Sequence, residues 1–519
     1  MSETSVNNKR IVKNTIYLYI RMFVILFVSL YTSRVILQVV GASDYGIYNL
    51  IAGVVVLFSF INGALTSATQ RYLNFYIGKH DEQNTHNVFC MSMNIYMALA
   101  IVFFVLAETI GLWFVNSQLN IPENRMNAAN WVYQFTVFSF MINLIRIPYN
   151  ATLIAYEKMD FYAYLSLFDV AIKLVIVYLL YISPVDKLVA YGFLYMLTDI
   201  IGNAIYHAYC KRKFAIATYQ YMWKKDMFKH LLSFSSWSLL GNASSVFVQQ
   251  GLNILVNVFY GVTLNAALGI ANQVAGKVTQ FFSNFQTAFN PQIVKYYAEG
   301  EMNEFFKLIF RSSRFSYYLM LIVSLPLMLK IDVILGIWLV DVPEYTGIFC
   351  QLILIFYLIE ALTGPLWMSV QATGDIKLYQ ILISVVNIIN IPLIYFSLKL
   401  GYPVWTVWII RIVVDLIIYI VRCFYLNKRL KMSLSLYYKE VVQPVLLVTL
   451  LALPIPFIIE RTVSGNHINF ILSIVVSILC PCVMTFYFGL KRRERERLSS
   501  LIVEKSKGVI ELIQHRKQR

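Results

Sequence analysis

Apolar residues in this chain gather in long unbroken runs, and polar residues fill the short stretches between them. A membrane-crossing helix needs about 20 mainly apolar residues. Roughly fourteen runs qualify, near 15–40, 46–69, 88–115, 129–149, 161–182, 188–210, 231–258, 264–289, 309–329, 345–370, 376–398, 403–425, 440–459 and 468–490. The stretch 330–344, KIDVILGIWLVDVPE, is too short and too acidic to cross and reads as an interfacial segment. The first run is about 25 residues long, carries Arg21 and Arg34 and lacks a small-residue cleavage site, so it reads as a retained first span. The pattern predicts an all-α polytopic membrane protein of about 14 transmembrane helices.

Composition removes the competing classes. Of 519 residues, 59% are hydrophobic and 13% charged, against about 25% charged in a soluble chain. The mean hydropathy is +0.65. So much apolar surface cannot be hidden in soluble domains of ordinary size. The net charge is +16. In a chain this apolar, the excess belongs on the side facing the anionic cytoplasmic leaflet, not on nucleic acid. With the first segment inside and strict alternation, about 32 of the 43 Lys and Arg fall on inside segments. About five fall outside: Arg125, Lys187, Lys330, Lys399 and Arg461. This positive-inside bias predicts that both termini are cytoplasmic. The basic tail 491–519 has apolar Leu498, Leu501, Ile502, Val509, Ile510 and Leu512; it reads either as an amphipathic helix on the inner leaflet or as a solvated tail.

Catalytic signatures are missing from the sequence. It has no phosphate-binding G-x-x-x-x-G-K-[ST], no HExxH and no G-x-S-x-G. The histidines are scattered, and Cys480-Pro481-Cys482 is one residue short of a CxxC, so buried free thiols are expected and no metal or other cofactor. The expected class is not an enzyme.

A 220-residue shift brings Gly41 onto Gly261, Val54 onto Val274, Ala68 onto Ala288 and Tyr76 onto Tyr296. In both copies a span ends at a Gly turn, a second span follows, and a basic-aromatic inside segment comes next (RYLNFYIGKHDEQN and PQIVKYYAEGEMNE). Two readings stand: a repeat of two six-helix bundles, or a general likeness between apolar helices. The first predicts an N-terminal lobe with its linker at 1–228, a C-terminal lobe at 229–439, helices 13 and 14 at 440–490, and the cytoplasmic tail at 491–519.

About eleven ionisable residues lie within spans: Arg21, Arg34, Glu108, Arg146, Asp169, Lys173, Asp199, Lys277, Glu360, Arg411 and Asp415. Each costs roughly 2.5–3.5 kcal/mol at mid-bilayer if left to lipid, so each must pair, snorkel or face a hydrated cavity. Asp169 with Lys173, and Arg411 with Asp415, are four apart on one helical face and read as structural pairs. That leaves Arg21, Arg34, Arg146 and Lys277 against Glu108, Asp199 and Glu360. Around Lys277 stand Asn272, Gln273, Gln280 and Asn284, a polar face that must line a cavity or a bundle interface. Arg21 either snorkels to the inner surface or faces the cavity; Arg34 and Lys277 are assigned to the cavity. Such cations suit an anionic, phosphate-bearing substrate. Glu360 and Asp199 are the acids left for ion coupling, with a salt bridge to Arg146 or Lys277 as the alternative.

The segment Arg34-x6-Gly41-x3-Tyr45-Gly46-x-Tyr48, then Gly63-x4-Ala68-x2-Arg71-Tyr72, resembles the amino-terminal signature of Wzx-type polysaccharide flippases. These belong to the multidrug/oligosaccharidyl-lipid/polysaccharide (MOP) exporter superfamily. Ala271-Asn272-Gln273, Ala288-Phe289-Asn290-Pro291-Gln292 and Gly374-Asp375 fit the same pattern. The resemblance covers nearly the whole chain, and its motifs mark the superfamily better than the substrate. It implies two six-helix lobes around a cavity that opens alternately to either side. It implies transfer of an undecaprenyl-pyrophosphate-linked oligosaccharide, an O-antigen, capsule or exopolysaccharide unit, from the inner to the outer leaflet. The related peptidoglycan-precursor flippase uses cations in its first and eighth spans, where Arg21, Arg34 and Lys277 stand here. The expected transporter is monomeric and in contact with membrane lipids, with a polysaccharide polymerase as candidate partner. Drug/cation antiporters of the same superfamily are the second reading, although they commonly need acids in the first, seventh or eighth span, where this chain has none. A membrane polymerase or ligase of lipid-linked sugars is the third, and the short outside loop near 116–128 speaks against it.

Overall fold

The computed structural model describes residues 3–40, 44, 47–48, 51–52, 59–117, 121–339, 342–462, 467–492, 494–496 and 499. Among them every regular element is a helix. In order these are α1 (Glu3–Val40), α2 (Ser59–Gly78), α3 (Glu82–Leu106), α4 (Met126–Ala155), α5 (Met159–Ile182) and α6 (Lys187–Lys213). Then come α7 (Lys225–Glu299), α8 (Met302–Leu329), α9 (Ile331–Trp338), α10 (Thr346–Thr373), α11 (Lys377–Ile388), α12 (Asn390–Lys399) and α13 (Thr406–Leu430). Two further helical stretches cover Leu434–Glu460 and Phe470–Gly489. The tail beyond 499 lies outside the described residues.

Among the described residues, nine helical stretches are long and apolar enough to cross a membrane, and each coincides with a predicted run. The other five runs lie on α1, the α2 region, α7 (two runs) and α13. Three of these helices carry charge within their runs: Arg21 on α1, Lys277 on α7, and Arg411 with Asp415 on α13. Charge lowers their hydropathy, and protein packing has to compensate for it.

Local chemistry sets several boundaries. Asp81 caps α3 by accepting the Asn84 N–H at 2.9 Å, and Asp186 caps α6 by accepting from Leu188 and Val189. Pro392 has no N–H for the carbonyl four residues earlier, which explains why α11 stops at Ile388 and α12 begins with Pro392 in its first turn. One boundary differs from the sequence pattern. A turn is expected near Gly261, but helical bonding runs through it in the 75-residue α7. A lone glycine weakens a helix by only about 1 kcal/mol, and no proline lies in α7 before Pro291. The stretch 330–344 contains the eight-residue α9, with Ile331 and Leu335 buried and Ile337 and Trp338 exposed.

Polar contacts also tie segments that are distant in the sequence. Arg125 bridges Asp44 and Asp186, and Lys330 pairs with Glu460. Asn94 donates to the Met222 carbonyl at 2.7 Å, and Arg314 pairs with Glu494.

The chain divides into two compact units. The first comprises 1–250, 284–305 and 367–389; the second comprises 251–283, 306–366 and 390–519. In the first, α4 packs along α6 and α1 along α5. In the second, Leu252, Ala271, Ile331, Phe349, Leu398 and Trp408 are among the buried residues of one core.

Candidate functional site

The four helices α1, α4, α5 and α6 of the first unit line an open-sided cavity of about 370 Å³. Arg21 enters from α1, Arg146 and Asn150 from α4, Tyr162, Asp169 and Lys173 from α5, and Tyr195 and Tyr206 from α6. The Arg21 guanidinium lies over the Tyr162 ring, 4.5 Å from its centroid, and that of Arg146 lies 5.6 Å from the Tyr206 centroid. Gly202 lies beside Arg146: a Cβ there would sit 3.4 Å from an arginine nitrogen, at ordinary contact distance.

Charge in the cavity does not cancel. Lys173 donates to Asp169 at 2.7 Å, with its ammonium 4.7 Å from the Tyr195 centroid. Asp199, 7% exposed, lies beside Arg146 and Lys173 and bonds Ser139. Among the described residues Arg21 has no carboxylate partner, and its buried Nε has no hydrogen-bond partner. The buried Oδ1 of Asn150 also lacks one. The tyrosine face offsets part of the cost of a desolvated cation, by about 2 kcal/mol. Water or an anionic ligand would satisfy the rest.

The sequence-derived candidates are divided between the two units. Arg21, Arg146 and Asp199 meet around this cavity. Lys173 and Asp169, read as a self-contained pair, line it too; their four-residue spacing gave no sign of open space beside them. The tyrosines were missed, because 36 of them in the chain give no pattern that selects three. The Arg34 side chain lies outside the described residues. Lys277, Gln273 and Gln280 form an exposed stripe on the part of α7 that belongs to the second unit, with Asn272 half-buried beside it.

Glu360 belongs to a different cluster in the second unit. The Asp415 carboxyl meets that of Glu360, with Arg411 and Arg422 alongside. Arg411 is held between the rings of Phe356 (4.7 Å) and Trp408 (4.8 Å), and Arg422 donates to the Thr363 carbonyl at 3.1 Å. Two acids thus face two bases. The six cysteines are free, four of them buried. No group of His, Cys, Asp or Glu among the described residues could hold a metal ion.

No family model matches the sequence, and no curated protein matches it. Solved structures do. An outward-facing multidrug resistance MATE family transporter of the MOP superfamily aligns with a TM-score of 0.71 at 14% identity, over 82% of this chain and 96% of that one. A MOP superfamily transporter from Pyrococcus furiosus aligns with a TM-score of 0.69 at 14% identity, over 82% and 97%. The fold is that of the MOP-superfamily transporters. Reverse polarity of the binding pocket in the Pyrococcus protein is reported to suggest a different function for it.

Proposed function

We propose that this protein is a transporter of the bacterial cytoplasmic membrane, both termini inside, that moves an anionic lipid-linked oligosaccharide by alternating access. The observation that carries this reading is the unbalanced cation Arg21 beside open space, with Arg146 and Lys173 in the same cavity. A pyrophosphate supplies what that site lacks: negative charge and several acceptor oxygens. The tyrosine rings offer faces for sugar stacking. The sequence resemblance to polysaccharide flippases points the same way.

A cation-coupled multidrug exporter is the second reading, and the MATE structures support it at least as well on fold alone. In that reading the acids Asp169 and Asp199 would meet an organic cation. In either reading the driving force is an ion gradient, the membrane potential or removal of the product. Asp199 and Glu360 are the coupling candidates. Loss of pH-gradient response in Asp199→Asn with normal protein amount would assign coupling to that residue; lower abundance with unchanged response would assign it a structural role.

Deleting the gene separates the two readings. The proposed function predicts accumulation of an undecaprenyl-pyrophosphate-linked glycan in the inner leaflet, restored by the parent gene and not by Arg21→Gln. Absence of such a glycan, together with new sensitivity to organic cations, would favour the drug exporter.

A further inference from the structure

The two sequence halves are tied together at their inner ends by two polar grips, and each grip mirrors the other. In one, Arg71 near the end of α2 reaches the end of α10: its Nε donates to the Gln371 carbonyl (3.2 Å) and its Nη2 to the Ala372 carbonyl (3.0 Å). Arg71 is 5% exposed and lies against the rings of Tyr72 and Phe75. In the other, Gln292 and Lys295 near the end of α7 reach the turn after α4: Lys295 Nζ lies 2.9 Å from Glu157 Oε1, and the Gln292 amide donates to the same oxygen.

The correspondence follows the internal repeat. The end of α2 falls on the end of α7 when the chain is shifted by 220 residues, Tyr76 on Tyr296. The turns that are gripped also correspond. Glu157 after α4 has φ +57° and Gly374 after α10 has φ +78°. Their N–H groups bond back to Ile154 and Gln371 in the same way. Each half therefore uses the end of its second helix to hold the turn after the other half's fourth helix. The two helix ends also touch: a Cβ on Gly78 would lie 2.9 Å from Lys295 Cα, and one on Gly374 would lie 2.5 Å from the Arg71 guanidinium. All these residues belong to the first compact unit.

We propose that this reciprocal clasp is the gate on the cytoplasmic side, closed in this structure, and that both grips release when the cavity opens to the cytoplasm. The inference rests on the transporter reading. Three features favour a releasable gate over a permanent joint. The grips are polar and sit at helix ends, where water replaces their hydrogen bonds as they part. The segments they hold, 284–305 and 367–389, are the only parts of the first unit that come from beyond residue 250. And Pro365, which removes one helical hydrogen bond from α10, stands where that helix passes from the second unit to the first.

The test reads the gate without any substrate, so it stands apart from the identity of what is transported. In full-length protein with the native cysteines replaced by serine, a single Ser166→Cys places a thiol in the cavity wall. Its labelling by a membrane-impermeant maleimide is measured in inside-out and right-side-out vesicles. Glu157→Lys and Lys295→Glu should each raise labelling from the cytoplasmic face about fivefold, a modest population shift. Combined, they should return it to the parent value, because Gln292 can turn its amide oxygen toward the exchanged ammonium. Arg71→Lys should behave closer to the parent than Arg71→Ala. Glu157→Gln, which keeps the shape of the grip, provides a mild variant if the reversals fold poorly, and should give an intermediate increase. Unchanged labelling in the folded single variants, or a double variant no closer to the parent than either single, would overturn the proposal.

Discussion

In the first unit, Arg21, Arg146 and Lys173 stand around about 370 Å³ of open space. In the second, Arg411 is packed between two aromatic rings, and Asp415 and Arg422 are 4% and 8% exposed. Both clusters pair acids with bases inside membrane-spanning helices. They differ in surroundings and in balance. The first has a cation to spare and space beside it; the second matches two acids with two bases in packed protein. A charge in the membrane therefore does not mark a binding site by itself. The mark is a charge whose compensation is incomplete next to a cavity.

The largest expected effect tests the packed cluster. Asp415→Leu leaves two arginines facing Glu360 alone and should destabilise the protein by about 3–5 kcal/mol, the cost of orphaning a buried charge. Adding Arg411→Leu should recover most of that, because charge balance returns. Both are read as protein amount and melting temperature, with transport per folded molecule little changed. Next comes the cavity. Arg21→Gln removes a charge-assisted hydrogen bond to an anion, about 1.5–3 kcal/mol, so transport should fall about ten- to a hundredfold with protein amount unchanged. Lys173→Met should destabilise by about 1 kcal/mol or less, since its pair with Asp169 is partly exposed. If it destabilises as much as Asp415→Leu, the contrast between an open and a packed cluster fails.

The smallest effect lies outside the membrane. Burial raises the Asp186 carboxyl pKa, but the Arg125 hydrogen bond and the Val189 and Leu188 N–H groups outweigh it and hold the pKa below the ordinary carboxylate value. A depressed pKa contributes stability above the unfolded value of about 3.9, lost as pH falls through the folded one. Arg125→Gln should therefore lower the melting temperature slightly at pH 7, with the gap closing under acid.

The helices themselves were legible because length and hydropathy are local properties; α3, α5 and Phe470–Gly489 are read directly from their apolar runs. The grouping of the charges was not. Asp169 and Lys173 satisfy each other at four-residue spacing, and nothing local tells whether a cavity adjoins them. Lys277 lies in the second unit and Arg21 in the first, a division that polar residues in single spans do not reveal. Arg71 and Gly374 both appeared in the motif pattern, yet the 300 residues between Arg71 and Gln371 hid their meeting. The expected turn at Gly261 relied on one glycine, too weak a signal against continuous helical bonding.

The central claim is that the first-unit cavity is an anion site completed by Arg21. Binding of a short-chain polyprenyl pyrophosphate to the purified protein, measured by calorimetry at two salt concentrations, tests it most directly. The account predicts saturable binding that weakens with salt and is lost in Arg21→Gln while Arg411→Leu/Asp415→Leu retains it. Binding of equal strength in Arg21→Gln, or no pyrophosphate binding beside saturable binding of an organic cation, would contradict it.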